Sequence, residues 1–231
     1  VSTASPIEQH VCQYCQKSFR RETSLAVHLC EPKRRYQERE EVGVQLGLQS
    51  YLRFYETTQG SARLKTFDDF ATSPYYRAFV KFGRHCVSIR AINIPRFIDW
   101  LLKNNKKIDH WCRDSIYSEY LQEHLRQEDA TDALARAMEQ AIAWSEETVN
   151  FDKDYLRFGN SNAICYAITT GRLSPWVLYN CDSGSEFLSG LNQEQIAIIW
   201  PFIDADFWQS KFLKYAADAE YVRHLLKEAG W

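Results

Sequence analysis

The sequence predicts a mostly α protein in which a small ββα zinc finger precedes an all-α helical domain. Three observations point there. Cys12, Cys15, His28 and Cys30 stand near the start at the spacing of a metal finger. Helix start signals recur through the rest of the chain, while strand signals hardly occur. The chain of 231 residues is 45 % hydrophobic and 14 % aromatic, enough for one sizeable core besides the finger. The expected organisation is a C2HC finger with a basic tail over 1–35, a linking helix with a polar connector over 36–66, and an all-α domain over 67–231. A division of that domain into two subdomains near 150–160 stays open.

The finger follows C-x2-C-x3-F-x5-L-x2-H through Cys12, Cys15, Phe19, Leu25 and His28. A two-residue knuckle lets both thiolates face one tetrahedral ion. Phe19 and Leu25 supply the small apolar core of a unit too short to build a larger one. Metal binding energy is then folding energy. The fourth ligand departs from the pattern, because Pro32 stands where a second histidine belongs and Cys30 is the soft ligand nearby. Helical residues two apart point about 200° away from each other, so His28 and Cys30 share an ion only if the helix unwinds at Leu29. Pro32 favours that by disfavouring helical geometry at Glu31. A histidine among the ligands points to zinc over iron–sulfur.

Beyond the basic tail and the acidic run Glu38, Glu40 and Glu41, a helix is expected from Val44 to Tyr55 with Leu48, Leu52 and Tyr55 on its inner face. Thr57 to Ala62, with Gly60, would stop it. Ser73 and Pro74 open a helix to about Ile89 that buries Phe79, Phe82 and Cys86. Asn93 and Pro95 open the next, with Phe97, Ile98, Leu101 and Leu102 inward. Ile108 to Arg126 forms a helix broken near Arg113. Thr131 caps another to about Glu147, with Leu134, Met138, Ile142 and Val149 near one face. Ser161 or Asn162 starts a helix stopped at Gly171, and Ser174 with Pro175 starts a short one. Asn192 and Gln195 form a capping box, Pro201 ends or bends that helix, and Asp204 and Asp218 cap the last two.

Composition narrows the function. Twenty-eight basic against thirty acidic side chains give a net charge of -2, so a nucleic-acid role must come from local basic faces. The chain has no apolar stretch of membrane-spanning length, and VSTASPIEQH has no apolar signal region. Seven cysteines, an odd number, fit a reducing cytosol. The expected location is the cytoplasm, that of the host if the gene is viral; the initial Val1 hints at an alternative start codon in a bacterial or viral gene.

No enzyme signature emerges. There is no Gly-rich phosphate loop, and Cys181-Asp-Ser-Gly-Ser lacks the strand of a nucleophile elbow. His85, Cys86, His110 and Cys112 read as core and helix residues before they read as a second metal site. Basic faces carry the functional expectation. Arg77, Lys81 and Arg84 recur at i, i+4 and i+7 opposite Phe79, Phe82 and Cys86, and Lys103, Lys106 and Lys107 cluster at the end of the following helix. Such stripes bind phosphates without reading sequence. In the finger the base-facing positions are Arg21, Ser24 and Val27; valine donates nothing and one finger covers about three base pairs. Phosphate contacts from Lys17, Arg20, Lys33, Arg34 and Arg35 are the expected use, with a knuckle that touches only protein as the competitor. Trp208, Tyr215 and Trp231, among Asp204, Asp206, Asp218 and Glu220, make a candidate protein-partner patch, although Trp208, Phe212 and Tyr215 also have the spacing of a buried helix face.

Local strings carry a resemblance. Phe97-Ile-Asp-Trp-Leu-Leu-Lys-Asn-Asn, then Asp109-His-Trp, Tyr117 and Tyr120-Leu, then Tyr166-Ala-Ile-Thr-Thr-Gly-Arg-Leu-Ser, resemble the helicase-loading (helicase-assembly) proteins of T-even-type phages, as does the spacing of Leu178, Leu188, Trp208, Phe212, Tyr215 and Val222. The resemblance runs from about Tyr75 to the C-terminus. It implies an all-α, non-enzymatic adaptor that binds forked or single-stranded DNA, contacts the single-strand-binding protein and places a hexameric replicative helicase. The finger departs from the HMG-like N-terminal domain of that family. A zinc-finger transcription or recombination accessory, and a phage structural or assembly protein with a purely structural zinc, stay open as alternatives.

Overall fold

The computed structural model describes residues 9–60, 64–148 and 154–231; Val149 and the Ser61–Ala62 end of the expected stop lie outside them. The chain divides into two compact units, Val1–Cys112 and Arg113–Trp231. The boundary falls at the break foreseen near Arg113, and the finger shares its unit with the helices up to Cys112.

The first unit opens with an antiparallel pair, β1 (His10–Val11) and β2 (Ser18–Phe19), with His10 opposite Phe19. The finger helix α1 (Glu22–Ala26) follows and is short, burying no residue. Pro32 then starts a helix where a stop is expected: Cys30 is an extended N-cap and α2 runs over Glu31–Gln37. Proline suits the first turn of a helix because its missing N–H is not needed there. The basic tail is therefore helical. It ties the finger to the helices behind it: the Tyr36 hydroxyl donates to Asp68 at 2.8 Å and the Arg35 guanidinium to the Ala71 carbonyl at 2.6 Å.

Helix α3 (Val42–Gln59) carries the chain onward. Its buried face is Gly43, Val44, Gly47, Ser50 and Tyr51, whereas Leu48, Leu52 and Tyr55 are only half-buried. The glycines explain the shift. A Cβ on Gly47 would sit 2.8 Å from the Phe79 carbonyl oxygen, and one on Gly83 would collide with the Gly43 carbonyl. Backbone meets backbone between α3 and α5 (Tyr76–Ser88), a contact that no side-chain periodicity announces. Before α5 stands α4 (Phe67–Thr72), opened by a capping box of Thr66 and Asp69. After it, α6 (Ile94–Lys103) is capped by Asn93 and buries Phe97, Ile98 and Leu101 as expected, while Leu102 is half-buried. A 3-10 turn over Ile108–His110 delivers Trp111 into the core, against Phe79 and Phe82.

The second unit contains α7 (Asp114–Gln127), α8 (Ala130–Thr148), α9 (Tyr155–Phe158), α10 (Ser161–Thr169), α11 (Pro175–Leu178), α12 (Asp182–Ser189), α13 (Gln193–Ile203), α14 (Ala205–Lys214) and α15 (Ala216–Glu228). Asn160 caps α10, Ser174 caps α11, and the Asn192–Gln195 capping box opens α13, with Pro201 inside it. In α8 the inner stripe is Ala133, Ala137, Ala141 and Ser145 beside Leu134, while Met138 is half-buried and Ile142 exposed; Asp129, not Thr131, accepts from the Asp132 N–H at its start. Small residues there let α11 and α15 pack closely on α8. Asp204 caps α14, whereas Asp218 lies within the first turn of α15 and caps nothing. Trp176, Trp208 and Phe212 form the aromatic centre, Trp208 with no exposed surface.

Candidate metal centre and cationic surfaces

The four finger ligands converge. One ligand atom from each of Cys12, Cys15, His28 and Cys30 lies within 4.8 Å of every other. Cys12 Sγ is 3.9 Å from Cys30 Sγ, and Cys15 Sγ is 3.3 Å from His28 Nε2. A tetrahedral ion with ordinary bond lengths to sulfur and nitrogen sets these edges at about 3.8 and about 3.6 Å. The donor set therefore fits a metal ion, and the cluster can bind one.

Local chain geometry brings the ligands together. The knuckle turns at Gln16, whose φ of 58° is left-handed, while the Cys12 N–H donates to the Lys17 carbonyl and the Gln16 N–H to the Cys12 carbonyl. Helix α1 ends at Ala26, two residues before His28, so the stretch through Leu29 to Cys30 is not helical and both ligands turn inward. Phe19 packs on the His28 ring at 4.7 Å, and Leu25 is half-buried. Of the ligands only Cys12 is buried.

The thiols show the same need. Burial opposes ionisation of Cys12, yet backbone N–H groups of Cys15 and Tyr14 bring its pKa below that of a free thiol. The Lys17 N–H favours the Cys15 thiolate, but burial and the crowding sulfurs of Cys30 and Cys12 push its pKa up. A cation between them removes that conflict. Cys86, by contrast, has no exposed surface and burial pushes its thiol up to about 12; Cys112 is raised for the same reason. Cys86 is a core thiol and Cys112 is half-buried.

The cationic residues fall into two groups. On the finger, Lys17, Arg20, Arg21 and Ser24 are all exposed. Lys17 lies over the Phe19 ring at 5.8 Å; among the described residues the side chains of the two arginines make no hydrogen bond or ion pair. Val27 is 83 % exposed, so the tip of α1 presents an apolar residue beside them. Downstream, Lys33 and the arginines of α2 and α5 meet protein acceptors. Lys33 donates to the His28 carbonyl at 3.0 Å. Arg34, Arg35 and Arg77 all pair with Glu31. Arg84 pairs with Glu41 at 2.5 Å and Glu38 at 3.1 Å, which gives the acidic run a structural task. Lys81, Lys103 and Lys107 are exposed, and Lys106 covers Trp100 at 5.3 Å.

The candidate partner patch is corrected by burial. Trp208 is wholly inside and its indole N–H donates to the Phe202 carbonyl at 3.0 Å, so it presents no surface. Trp231 is 8 % exposed: Gly230 takes a φ of 86° and the Trp231 N–H closes on the Leu226 carbonyl, a helix-ending motif that folds the last side chain inward. Tyr215 alone of the three is exposed. The exposed tryptophan in this region is Trp200 on α13, with exposed Ile196 one turn before it, hidden in the sequence within an apolar run.

A further arrangement escapes the sequence. A cavity of about 630 Å³ in the second unit is lined by Trp176, Phe207, Lys211 and Tyr215 among others. Lys211 donates to the Arg126 and Glu128 carbonyls at the end of α7 and lies over the Trp176 and Trp208 rings; burial lowers its pKa to about 8. Buried Glu128, raised by that burial, accepts from Ser174 and from Arg136 at 2.6 Å. These contacts staple α7, α11 and α14 together. Among the described residues no helix is long and apolar enough to cross a membrane. Comparison with protein-family models, with curated proteins and with solved structures gives no match.

Proposed function

We propose that the four ligands hold zinc and that the protein is a non-enzymatic accessory of DNA replication, gripping forked or single-stranded DNA through the finger and bringing a partner to it. The observation that carries the DNA reading is the contrast in charge pairing: Arg20 and Arg21 are exposed and unspent beside the metal cluster, while Arg34, Arg35 and Arg84 are engaged by carboxylates. Free guanidinium groups on a metal-fixed module are suited to phosphates. Zinc is the ion of choice for three thiolates and an imidazole in a closed tetrahedral site. The helicase and single-strand-binding partners rest on the resemblance of the helical region to phage helicase loaders, with Trp200 and Tyr215 as the exposed aromatics for such a contact.

The test is binding to forked, single-stranded and duplex DNA across a salt series, for wild type and for Arg20→Glu with Arg21→Glu. Loss of two phosphate contacts should flatten the slope of log K against log salt by about 2. Retained affinity with an unchanged slope in the variant rejects the finger as the DNA contact. A pull-down with a hexameric replicative helicase tests the adaptor role. A purely structural zinc is favoured by one observation, the docking of α2 on the helices through Tyr36 and Arg35, and predicts no DNA binding at any salt.

A further inference from the structure

We propose that the cleft between α2 and α5 is a binding site for a phosphate monoester dianion, the group that ends a nucleic-acid strand or that a phosphorylated small molecule carries. It extends the nucleic-acid reading in one of its two ligand sources and stands on residues other than the finger face. The cleft measures about 430 Å³, within the roughly 300–1,000 Å³ of small-ligand sites.

Charge imbalance is the first argument. Five cationic side chains, Arg34, Arg35, Arg77, Lys81 and Arg84, line the cleft against two carboxylates, Glu31 and Glu38. Arg84 takes two carboxylates, Glu38 and Glu41, which leaves one negative charge in surplus there. Glu31 must serve three guanidinium groups alone: Oε1 takes Arg35 at 3.2 Å and Arg77 at 3.3 Å, and Oε2 takes Arg34. One carboxylate neutralises one of the three, so two positive charges stay uncompensated. Lys81 is exposed, and its side chain makes no hydrogen bond or ion pair among the described residues; with Glu41 counted, the five cations exceed the three carboxylates by two charges. A network serving only to join α2 to α5 would gain by balancing these charges, since crowded like charges repel.

A second, independent observation lies in the cleft wall. Tyr76 is 95 % buried by its 5 % exposure, and among the described residues its hydroxyl has no hydrogen-bond partner. That hydroxyl lies within electrostatic reach of Glu38, Arg35, Arg84 and Glu31, and the Arg35 guanidinium covers its ring at 4.4 Å. A buried donor without an acceptor is costly, and a phosphate oxygen entering beneath the Arg35 group supplies one. Guanidinium forks match phosphate geometry through paired N–H donors. The excess of more than one charge favours a dianionic monoester over a monoanionic diester.

The experiment is calorimetric titration of the full chain with inorganic phosphate, for wild type, Arg77→Gln with Lys81→Gln, and Glu31→Gln. Arg77 and Lys81 are exposed, so the double variant should keep its fold, checked by circular dichroism, and lose about tenfold or more in affinity. Glu31→Gln removes the internal competitor and should bind phosphate several-fold more tightly, with phosphate raising its Tm. Competition then separates the sources: displacement by a 5′-phosphorylated oligonucleotide but not by a nucleoside monophosphate supports a strand end, and equal displacement by both supports a small ligand. No heat with millimolar phosphate, or equal affinity in wild type and the double variant, overturns the proposal. The Arg20→Glu, Arg21→Glu variant should retain phosphate binding; fork binding by wild type without phosphate binding rejects the cleft while leaving the finger reading in place.

Discussion

The finger and the Arg113–Trp231 unit reach a folded state by opposite means. The finger has Phe19 and Leu25 half-buried and a helix of five residues with no buried side chain, so little apolar surface is removed from water. The second unit encloses Trp176 and Trp208 almost wholly and fills in around them with Leu173, Val177, Leu178, Val222 and Leu226. At about 25 cal/mol per Å² of apolar area, such a core supports itself. A module without one is expected to depend on an ion held by its four clustered ligands. The difference teaches where function can be placed: the self-supporting unit tolerates surface change, while the finger ties its exposed arginines to the state of four ligands.

The largest expected effect breaks the comparison if it fails. Chelation should unfold residues 10–30 and leave both helical cores intact, read as lost amide protection confined to that segment. Uniform loss of protection along the chain would mean that the finger is not separately dependent on its ion. The α2 contacts through Tyr36 and Arg35 set the expected limit of unfolding at Glu31.

Next in size is the backbone contact of α3 with α5. Gly83→Ala places a methyl group against the Gly43 carbonyl and should cost about 3 kcal/mol, measured by denaturant unfolding. Gly190→Ala in the second unit, where the nearest atoms are at 3.6 Å, should cost under about 1 kcal/mol. Equal costs would show that the α3–α5 approach is looser than described.

A smaller effect sharpens the account of the second unit. Lys211 has a folded pKa of about 8 against an ordinary 10.5, so between those values the unfolded chain holds more of this proton and stability from Lys211 rises with pH. The stability of wild type minus that of Lys211→Met should therefore increase from pH 8 to pH 9.5. A flat difference would place the ammonium group in water.

Much of this was legible in the chain, and what was not shares one cause. Caps and stops are local chemistry, so Asn93 with Pro95, Ser174 with Pro175, Asn192 with Gln195 and the turn at Gly171 were readable where they stand. The four ligands were readable because a knuckle and a histidine at finger spacing are local too. Inner faces are pairwise. Gly43 and Gly47 face α5 only because Gly83 stands opposite, and the alanines of α8 are inside because α11 and α15 press on them. Charge told the same story: Arg77 and Arg84 form a clean stripe in sequence, but Glu31, Glu38 and Glu41 reach them from more than forty residues away. Trp208 and Trp231 drew notice as large aromatics, and it took the fold to turn both inward.

The most direct measurement is metal content per chain, by native mass spectrometry, for wild type and Cys30→Ser after equilibration with limiting zinc. Cys30 is the ligand that departs from the finger pattern and depends on the unwound stretch after α1. One zinc per chain in the wild type, with a sharply weakened site in Cys30→Ser, is the expected result. An equally tight zinc in the variant, or none in the wild type, would contradict a metal centre built from Cys12, Cys15, His28 and Cys30.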